Sequence, residues 1–299
     1  MHPFFMSRPR PQTAEEKEEA IKRARAVMAE TDRVLIGAGA GLSTAAGLNY
    51  GGERFQREMP AFIKRYGMTD MYSAGFYPFP TEEDRWAYWA HHATVNCLGQ
   101  EALPLYEEIF EWARNLDYFV ITTNADQQFL KAGFSPERIF ATQGDYAHIQ
   151  CITGEHGIRD DAEVFARIEE DTDHGRRTRI TDATLVPTCD VCGAPMNMHL
   201  RVDGSFVQTD DWYAAEKRYR EFVAQIPEKR TLLLEMGVGW NTPVWIRMPF
   251  EQIAKKTGSP LIRMNYDSAE VDASIKSGIA VEGDIAKTFP EISGEAPLD

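Results

Sequence analysis

The chain alternates short, almost continuous apolar runs with stretches whose apolar residues recur at helical spacing. The apolar runs lie at residues 34–36, 118–122, 138–142, 231–234, 260–264 and 278–281. Strands that are covered on both faces have this composition, as the strands of a parallel sheet do. Because helical patterns separate most of the runs, the sequence predicts an α/β fold with a doubly wound parallel sheet.

The first helix has a recognisable start. Thr13 and Glu16 form a capping-box pair, in which each side chain binds the backbone N–H of the other residue. The apolar residues that follow at helical spacing are Ile21, Ala24, Val27 and Met28. We therefore predict an amphipathic helix directly before the first strand.

Two stretches interrupt this alternation. Residues 50–117 hold aromatic-rich helical patterns, with Trp86, Tyr88 and Trp89 behind a Thr81 cap. Residues 147–229 hold three of the cysteines, a polar loop at 160–184, a short β-like piece at 198–207 and a helix at 212–226. We therefore predict a core formed by residues 1–49, 118–146 and 230–299. Residues 50–117 would form a helical module and residues 147–229 a cysteine module, which together make a smaller inserted domain.

The charge balance limits the classes of partner. The 299 residues include 32 Lys and Arg against 46 Asp and Glu, which gives a formal net charge of -14. Such an acidic surface argues against nucleic acid or an anionic membrane as the main partner. A local site can still bind one anionic cofactor, because it can oppose the sign of the whole molecule.

Membrane and secretion signals are not visible in the sequence. No apolar run approaches the roughly 18 residues that span a bilayer, and residues 1–10 lack the apolar region and cleavage pattern of a signal peptide. Four cysteines without a secretion signal indicate a reducing compartment. We therefore expect a cytoplasmic protein whose cysteines serve as thiols or metal ligands.

A glycine-rich loop follows the first strand at residues 37–44. Glycines at such a place let backbone N–H groups approach a pyrophosphate at a helix N-terminus, and a tight turn between strand and helix is the alternative explanation. The dinucleotide pattern G-x-G-x-x-G fails, because its third glycine would fall on Leu42. The polar, glycine-rich segment 49–55 stands where a dehydrogenase has a second strand ending in an acidic residue, so hydride transfer is disfavoured.

Five segments together resemble one family. They are GAGAGLSTAAGL (37–48), TTNADQQF (122–129), TQGDY (142–146), CDVCG (189–193) and EMGVGWNTP (235–243), and they occur in sirtuin order. The chain resembles the class M, or macrodomain-linked, sirtuins (SirTM) of some bacteria and fungi over nearly its whole length, including YPFPTEEDRWAYW (77–89). The resemblance implies a Rossmann-like core and an enzyme that consumes NAD by breaking the bond between nicotinamide and ribose.

Asn124 and Asp126 match the sirtuin asparagine and aspartate that act beside the nicotinamide ribose. A carboxylate there can orient the nicotinamide amide, and an amide side chain can hold a ribose hydroxyl or a water. Both residue types are also good N-caps for a helix at residues 127–130, which is the structural alternative.

Gln143 stands where a deacylating sirtuin has a histidine as general base. Glutamine forms hydrogen bonds but cannot accept the proton near neutral pH, so removal of an acyl group should be badly impaired. The class M pattern carries glutamine here, and the activity it implies is protein mono-ADP-ribosylation. His148 is a conceivable substitute base, although a loop-stabilising role explains it as well.

The resemblance also assigns cofactor contacts. The residues it places near NAD are Gly37, Ala38, Gly39, Ser43, Phe55, Gly237, Val238, Asn241, Thr242, Asn265, Asp284 and Ile285. Arg54 and Phe55 align with the mobile cofactor loop of the family, and Asn265 with an asparagine that reaches the adenosine ribose. For residues 237–242, a plain turn between strand and helix is the alternative.

The cysteines predict a structural zinc site. Cys189 and Cys192 have the C-x-x-C spacing of half a zinc knuckle, and Cys151 can supply a third ligand. Where the class M pattern leads us to expect a fourth cysteine, this chain has Glu155 followed by His156, and either could complete the site. A knuckle without metal is the alternative, and Cys97 is expected to be a buried small hydrophobe.

Three functions remain open at this point. The resemblance implies transfer of ADP-ribose from NAD to a lipoylated carrier that resembles the glycine-cleavage H protein, with a macrodomain hydrolase removing the mark. A protein-lysine deacylase of the same family and a catalytically weak NAD-binding sensor are the alternatives. The sequence does not give the oligomeric state or the modified side chain of the acceptor.

Overall fold

The computed structural model describes residues 10–240 and 243–294, and the chain divides into two compact units. The first unit comprises Met1–Ala45, Glu111–Ile121 and Arg220–Asp299. The second unit comprises Ala46–Phe110 and Thr122–Tyr219.

The helices and strands follow one another along the whole chain. The helices are α1 (Ala14–Ala29), α2 (Ala40–Ala45), α3 (Gly52–Glu58), α4 (Pro60–Tyr66), α5 (Met71–Ala74), α6 (Glu82–Ala93), α7 (Pro104–Ala113), α8 (Gln128–Lys131), α9 (Ala162–Asp171), α10 (Asp210–Ala224), α11 (Arg247–Thr257) and α12 (Ile285–Ser293). The strands are β1 (Arg33–Ala38), β2 (Asp117–Thr122), β3 (Ile139–Ala141), β4 (Gly144–Cys151), β5 (Ile158–Asp160), β6 (Met196–Leu200), β7 (Leu232–Met236), β8 (Leu261–Asn265) and β9 (Gly278–Glu282). A π-helical segment, Thr94–Leu98, continues α6.

A six-stranded sheet contains every strand that the apolar runs predict. Its order is β3-β2-β1-β7-β8-β9, and β1, β7, β8 and β9 pair in parallel. All residues of β1, β7 and β8 are buried, which explains why these strands have no alternation of polar and apolar positions. The predicted doubly wound parallel sheet is confirmed.

Helix α1 begins where the capping box predicts. The Thr13 side chain accepts from the N–H of Glu16, and the Glu16 carboxylate accepts from the N–H of Thr13 at 2.9 Å. The fully buried positions of α1 are Ala20, Ala24 and Met28, and the helix packs on α12 and β9 within the first unit. The amphipathic helix is therefore confirmed.

A buried carboxylate joins two buried arginines in the first unit. Arg263 of β8 donates to both oxygens of Glu235 of β7, at 2.7 and 2.9 Å, and both side chains are 0% exposed. Arg247 of α11 lies 3.9 Å from the same carboxylate. Burial raises the pKa of Glu235, while the positive charge of Arg263 opposes that rise. This pairing fixes the end of β7 to β8.

The second unit combines an aromatic helical core with a small sheet. The largest buried side chains of this core are Phe62, Trp86, Tyr88 and Phe165. Helix α6 supplies two of them, and its N-cap is Thr81 as predicted, since the Thr81 hydroxyl accepts from the N–H of Asp84. The small sheet is antiparallel with the order β5-β4-β6.

The prediction of a polar loop at residues 160–184 is wrong, because α9 lies within it. Phe165 and Ile168 of α9 are fully buried against the aromatic core. Only these two positions and Val164 are large and apolar, and the charged residues around them hide the helical pattern. The β-like piece placed at 198–207 is the strand β6, which begins and ends earlier. Strands β4 and β5 were not predicted.

Within residues 10–240 and 243–294, no helix has both the length and the apolar composition needed to cross a membrane.

Replacing Arg263 by alanine should lower the free energy of unfolding by about 3–5 kcal/mol, because the buried Glu235 would lose both hydrogen bonds and keep only the more distant Arg247. Urea unfolding followed by circular dichroism measures the loss. Arg230→Ala is the matched control, because Arg230 and Glu30 form a pair whose side chains are 65% and 67% exposed. Losing that surface pair should cost less than about 1 kcal/mol. Similar losses in the two variants would contradict the role of the buried pair.

Candidate active site and metal centre

Two glycine-containing loops meet at the carboxyl ends of β1 and β7 in the first unit. The N–H of Gly39 donates to the Met236 carbonyl at 3.0 Å, and the N–H of Gly41 donates to the Gly237 carbonyl at 2.9 Å. A Cβ on Gly39 would lie 2.8 Å from the Gly237 carbonyl oxygen, and Gly237 has a φ of +65°. A Cβ on Gly237 would lie 2.1 Å from the N of Leu42. Close packing of the two loops therefore requires these glycines.

This packing changes how the glycine loop is interpreted. The N–H groups of Gly39 and Gly41 are bound to protein carbonyls, so they are not available to a pyrophosphate in this arrangement. Gly37 lies within β1, where a Cβ would collide with Ile246 and Phe250. The tight turn, which the sequence left open as the alternative, is present here, and contact of Gly37 or Gly39 with NAD stays a prediction. Ala38 and Ser43 are buried in the same region.

Asn265 connects three loops at this edge of the sheet. Its side-chain amide donates to the Val238 carbonyl at 3.0 Å, and its own carbonyl accepts from the N–H of Gly283 at 2.9 Å. Arg247 donates to the carbonyl of Ser268 at 2.9 Å, and its guanidinium stacks 4.3 Å from the ring centre of Trp240. Arg247 was not predicted, because a buried arginine on a helix has the same sequence pattern as an exposed one.

The remaining cofactor predictions in the first unit fall at a helix start. Asp284 is the N-cap of α12 and accepts from the N–H of Ala286, and Ile285 is 2% exposed. Asn241 and Thr242 lie outside the described residues. Contact between these residues and NAD stays a prediction.

Asn124 and Asp126 lie in the second unit between β2 and α8. The Asn124 side-chain amide donates to the Tyr106 hydroxyl at 3.2 Å. Asp126 is 4% exposed, and its carboxylate accepts from the N–H of Gln128 at 3.0 Å. Asp126 therefore makes a local turn contact at the start of α8, as the structural alternative predicts, although the formal N-cap is Gln127 with a φ of 58°.

Gln143 lies at the junction of β3 and β4, and its backbone is tightly held. Its carbonyl accepts from the N–H of Arg201 at 3.0 Å, and its side-chain amide donates to the Thr142 hydroxyl at 3.0 Å. Gly144 follows with a φ of +78°, and a Cβ there would lie 1.9 Å from the His199 carbonyl oxygen. The close approach of β6 thus requires a glycine immediately after Gln143.

His148 is engaged by a neighbouring carboxylate. Its Nδ1 lies 2.8 Å from Asp145, and this hydrogen bond raises the pKa of His148. The same Asp145 oxygen accepts from the N–H groups of Ala147 and His148. This geometry is that of a loop-stabilising histidine, which the sequence analysis offered as the explanation beside a substitute base.

The segment predicted as a mobile cofactor loop is helical here. Arg54 of α3 donates to the Asn96 side chain at 2.9 Å and to the Val95 carbonyl at 2.7 Å. Phe55 is 3% exposed and packs in the aromatic core of the second unit. Both side chains serve the fold in this conformation, and contact of Phe55 with NAD stays a prediction.

A hydrogen-bonded pair of tyrosines near Asp126, the half-buried Tyr50 and the buried Tyr146, was not predicted. The hydroxyls of Tyr50 and Tyr146 lie 2.5 Å apart. Burial raises the pKa of Tyr146, and the Asp126 charge adds to the rise. Both hydroxyls therefore stay protonated at neutral pH. Tyr146 lies three residues after Gln143, but nothing in the sequence indicates that it pairs with Tyr50, which is 96 residues away.

Three cysteines and one histidine of the second unit form a compact cluster. The ligand atoms of Cys151, His156, Cys189 and Cys192 all lie within 4.8 Å of one another. The sulfurs of Cys151 and Cys192 are 3.7 Å apart, and His156 Nδ1 lies 3.4 Å from Cys189 and 3.5 Å from Cys192. A tetrahedral zinc site with Zn–S of about 2.3 Å and Zn–N of about 2.0 Å gives S–S edges of roughly 3.8 Å and S–N edges of roughly 3.5 Å. The four residues therefore fit zinc, and His156 rather than Glu155 stands in the fourth position.

The pKa values of the Cys151 and Cys97 thiols shift in opposite directions. A hydrogen bond with the Thr153 hydroxyl and a second with His156 lower the pKa of Cys151 to about 6, which favours the thiolate form that binds metals. Burial raises the pKa of Cys97 to about 12, and this residue is fully buried in the helical module. Cys97 is thus the inert hydrophobe that the sequence predicts.

Comparison with known proteins finds two relatives that are named as ADP-ribosyltransferases and one that is named as a deacylase. The chain is 29% identical to a protein ADP-ribosyltransferase of Staphylococcus aureus, over 88% of this chain and 83% of that protein. It is 30% identical to "Probable bifunctional ADP-ribose hydrolase/ADP-ribosyltransferase" of Fusarium oxysporum f. sp. cubense, over 91% of this chain but only 47% of that protein. A Caenorhabditis elegans NAD-dependent protein deacylase, sir-2.3, is 22% identical over 71% of this chain and 77% of that protein. No family model matches the sequence.

Solved structures decide the fold. A Sir2 homologue in complex with NAD superimposes with a TM-score of 0.60 at 15% identity, covering 96% of each chain. A structure of Sir2 enzymes matches with a TM-score of 0.59 at 18% identity, covering 92% of this chain and 97% of that one. The chain has the sirtuin fold. The sirtuin-like architecture that the sequence motifs imply is therefore confirmed, with its smaller sheet module carrying the cysteine and histidine cluster.

Proposed function

We propose that this chain is an NAD-dependent protein mono-ADP-ribosyltransferase of the class M sirtuin type. The sirtuin fold and the two relatives named for ADP-ribosyl transfer support this proposal. The observation that carries it is Gln143, an amide at the position where a deacylase needs a base. Its backbone is fixed by Arg201 and Gly144, so the residue is built into the fold rather than carried on a loose loop.

The reaction breaks the bond between nicotinamide and the ribose C1′. Nicotinamide leaves with the electron pair of that bond, and a nucleophilic oxygen of the acceptor forms a new bond to C1′. Asp126 would orient the nicotinamide amide, and Asn124 would hold a ribose hydroxyl. Capture of C1′ by an acceptor carboxylate, which is already deprotonated at neutral pH, needs no base at residue 143. Gln143 is then suited to hydrogen-bonding the ribose.

NAD binding is proposed for the loops of the first unit. Asn265, Val238 and the residues after Gly237 lie at the carboxyl ends of parallel strands, where open α/β sheets bind ligands. With two glycine N–H groups already bound to protein carbonyls, the phosphates need other donors of these loops. The overall charge of -14 does not prevent this, because such contacts are local.

The acceptor is proposed to be a lipoylated carrier protein that resembles the glycine-cleavage H protein, as the class M resemblance implies. A functional link to a macrodomain hydrolase is proposed as well, and the name of the Fusarium relative, which joins a hydrolase to a transferase, supports it. Four free cysteines are in keeping with a cytoplasmic location.

Zinc is proposed as a structural ion held by Cys151, His156, Cys189 and Cys192. A closed set of four protein ligands supplies folding energy and leaves no open position for substrate. These residues join the end of β4 to the turn before β6, so the ion would stabilise the small sheet.

Transfer can be followed with NAD that is labelled in its adenine ring. Incubation of the chain with labelled NAD and a lipoylated H-like carrier should place the label on the carrier and release one nicotinamide per transfer. The non-lipoylated carrier is the control for acceptor recognition. Acetylated and lipoylated peptides analysed by mass spectrometry test the deacylase alternative, and robust acyl loss would show that our interpretation of Gln143 is wrong. NAD binding without any nicotinamide release would instead favour the sensor.

Alanine at Asn124 or Asp126 should slow transfer by about 100-fold, because each removes a polar contact made in the transition state. Alanine at Gln143 should slow it by about tenfold, the value of one hydrogen bond. Asp211→Ala and Gln225→Ala are matched controls, because both residues are exposed, Asp211 on α10 and Gln225 in the turn that follows this helix. Thermal melting checks that every variant is folded. Normal rates in all three site variants would show that the site is misplaced.

Elemental analysis of the protein, purified without chelators, should find one zinc per chain. His156→Ala should lose or weaken zinc binding, whereas the neighbouring Glu155→Ala should retain it, because only His156 lies in the cluster. A strong chelator should lower the melting temperature of the wild type but not that of a zinc-free variant. Zinc-free wild-type protein, or equal zinc contents in the two variants, would overturn the assignment.

A further inference from the structure

A basic cavity lies in the second unit, and no residue assigned above to NAD, catalysis or zinc lines it. Its volume is about 850 Å³, and five cationic side chains line it: Lys64, Arg65, Arg176, Arg177 and Arg179. Lys64 and Arg65 belong to the end of α4, and the three other arginines to the turn that follows α9. Among the described residues that line the cavity, Glu83 is the one carboxylate. This concentration of positive charge contrasts with the net charge of -14 of the whole chain.

The turn that carries the three arginines is held in one conformation. Its Gly175 has a φ of +73°, and a Cβ there would lie 2.6 Å from the His91 ring. The N–H of Arg177 donates to the Thr172 carbonyl at 2.8 Å, and the Asp171 carboxylate accepts from the N–H of Thr181 at 2.7 Å. The positive charges are thus presented on a fixed backbone, which reduces the entropy lost when a partner binds.

Two arginines of the cavity already form ion pairs with a buried carboxylate of the chain. Asp84, whose side chain is 1% exposed, lies 3.1 Å from Arg65 and 3.9 Å from Arg179. The outer cations are exposed, and Arg176 forms a surface pair with Asp173 at 3.5 Å, both side chains being more than half exposed. Water-exposed cations such as Arg176 are able to exchange a weak internal partner for an external carboxylate.

The lining chemistry favours an acidic polypeptide over a nucleic acid. No aromatic side chain is among the described residues that line the cavity, so it offers no surface on which bases stack. The acidic remainder of the chain would repel a long polyanion, whereas a short acidic segment needs only the local positive field. Side-chain carboxylates that are spaced along a peptide match cations that are spread over two elements.

We propose that the basic cavity docks an acidic segment of the acceptor protein. This inference rests on the proposed transferase function, since it names the chemistry by which that enzyme holds its protein substrate. An enzyme of charge -14 would repel an acidic acceptor at long range, and the cavity supplies the local positive charge that binding such an acceptor requires. Charge complementarity of this kind acts mainly on encounter and specificity.

The test uses the full chain and a fluorescently labelled decaglutamate peptide. The cavity variant carries Lys64→Glu, Arg176→Glu and Arg177→Glu, and the matched control carries Lys22→Glu, Lys256→Glu and Lys276→Glu, whose residues do not line the cavity. Three reversals of two charge units each take either protein from -14 to -20, so the global charge is equal. Fluorescence anisotropy is measured at about 50 mM and about 300 mM NaCl, because screening should weaken the complex.

The wild type should bind the peptide at low salt, the cavity variant at least about tenfold more weakly, and the control within about threefold of the wild type. If the reversed variant does not fold, the same three positions changed to glutamine should still weaken binding. Equal binding by the cavity variant and the control would overturn the proposal. So would tighter binding of an oligonucleotide or of tripolyphosphate than of the peptide.

Calorimetric NAD binding separates this proposal from the transferase function, because the cavity variant should bind NAD as the wild type does. In the labelled-NAD assay, the cavity variant should raise the acceptor KM and leave kcat unchanged. Transfer with an unchanged acceptor KM would overturn the docking site and leave the transferase intact. Peptide binding that depends on the cavity, without any transfer by the wild type, would overturn the transferase alone.

Discussion

The buried carboxylate of Glu235 organises the carboxyl edge of the first unit. Arg263 binds both of its oxygens, and Arg263 also donates to Glu251 of α11 at 2.8 Å. Arg247 extends the network to the segment after β8, where it donates to Glu270 at 2.6 Å. One charge therefore fixes two strands, a helix and a loop. Burying these charges carries a large desolvation cost, which their mutual attraction and hydrogen bonds offset. Removing one member would leave a buried charge without that compensation.

The close packing of the glycine loops depends on that fixed edge. Gly237 follows β7 directly after Met236, and its backbone contacts Gly39 and Gly41 at distances that no side chain would permit. Asn265, at the end of β8, then holds Val238 through one hydrogen bond. The polar loops proposed to bind NAD thus take their shape from buried charges beneath them.

The sequence predicts this fold well where burial is uniform and poorly where it is not. The six strands of the main sheet were found because each is an almost continuous apolar run, and α1 was found from its cap. Helix α9 was missed because its two buried residues, Phe165 and Ile168, are surrounded by charge. Glu235 and Arg263 could not be recognised as buried, since charged residues in a sequence are expected to be exposed unless a partner is known. That partner lies on the neighbouring strand, 28 residues away.

The candidate site, like the fold, could be predicted from the sequence only in part. Motif order locates Asn124, Asp126 and Gln143, but the sequence does not tell which hydrogen-bonding groups are already in use. Gly39 and Gly41 illustrate this, because their N–H groups are bound by carbonyls about 200 residues further along the chain. The C-x-x-C spacing likewise finds two metal ligands, whereas the choice of His156 over Glu155 depends on where β4 and its following turn place each side chain.

Net charge is a property of the whole chain and says nothing about how the charges are distributed over the surface. A total of -14 argues against a polyanion as the main partner, but it does not predict a cavity where one turn and one helix end bring five cations together. Specific recognition by an acidic protein is therefore decided by the local field, and the global charge sets only the background against which that field acts.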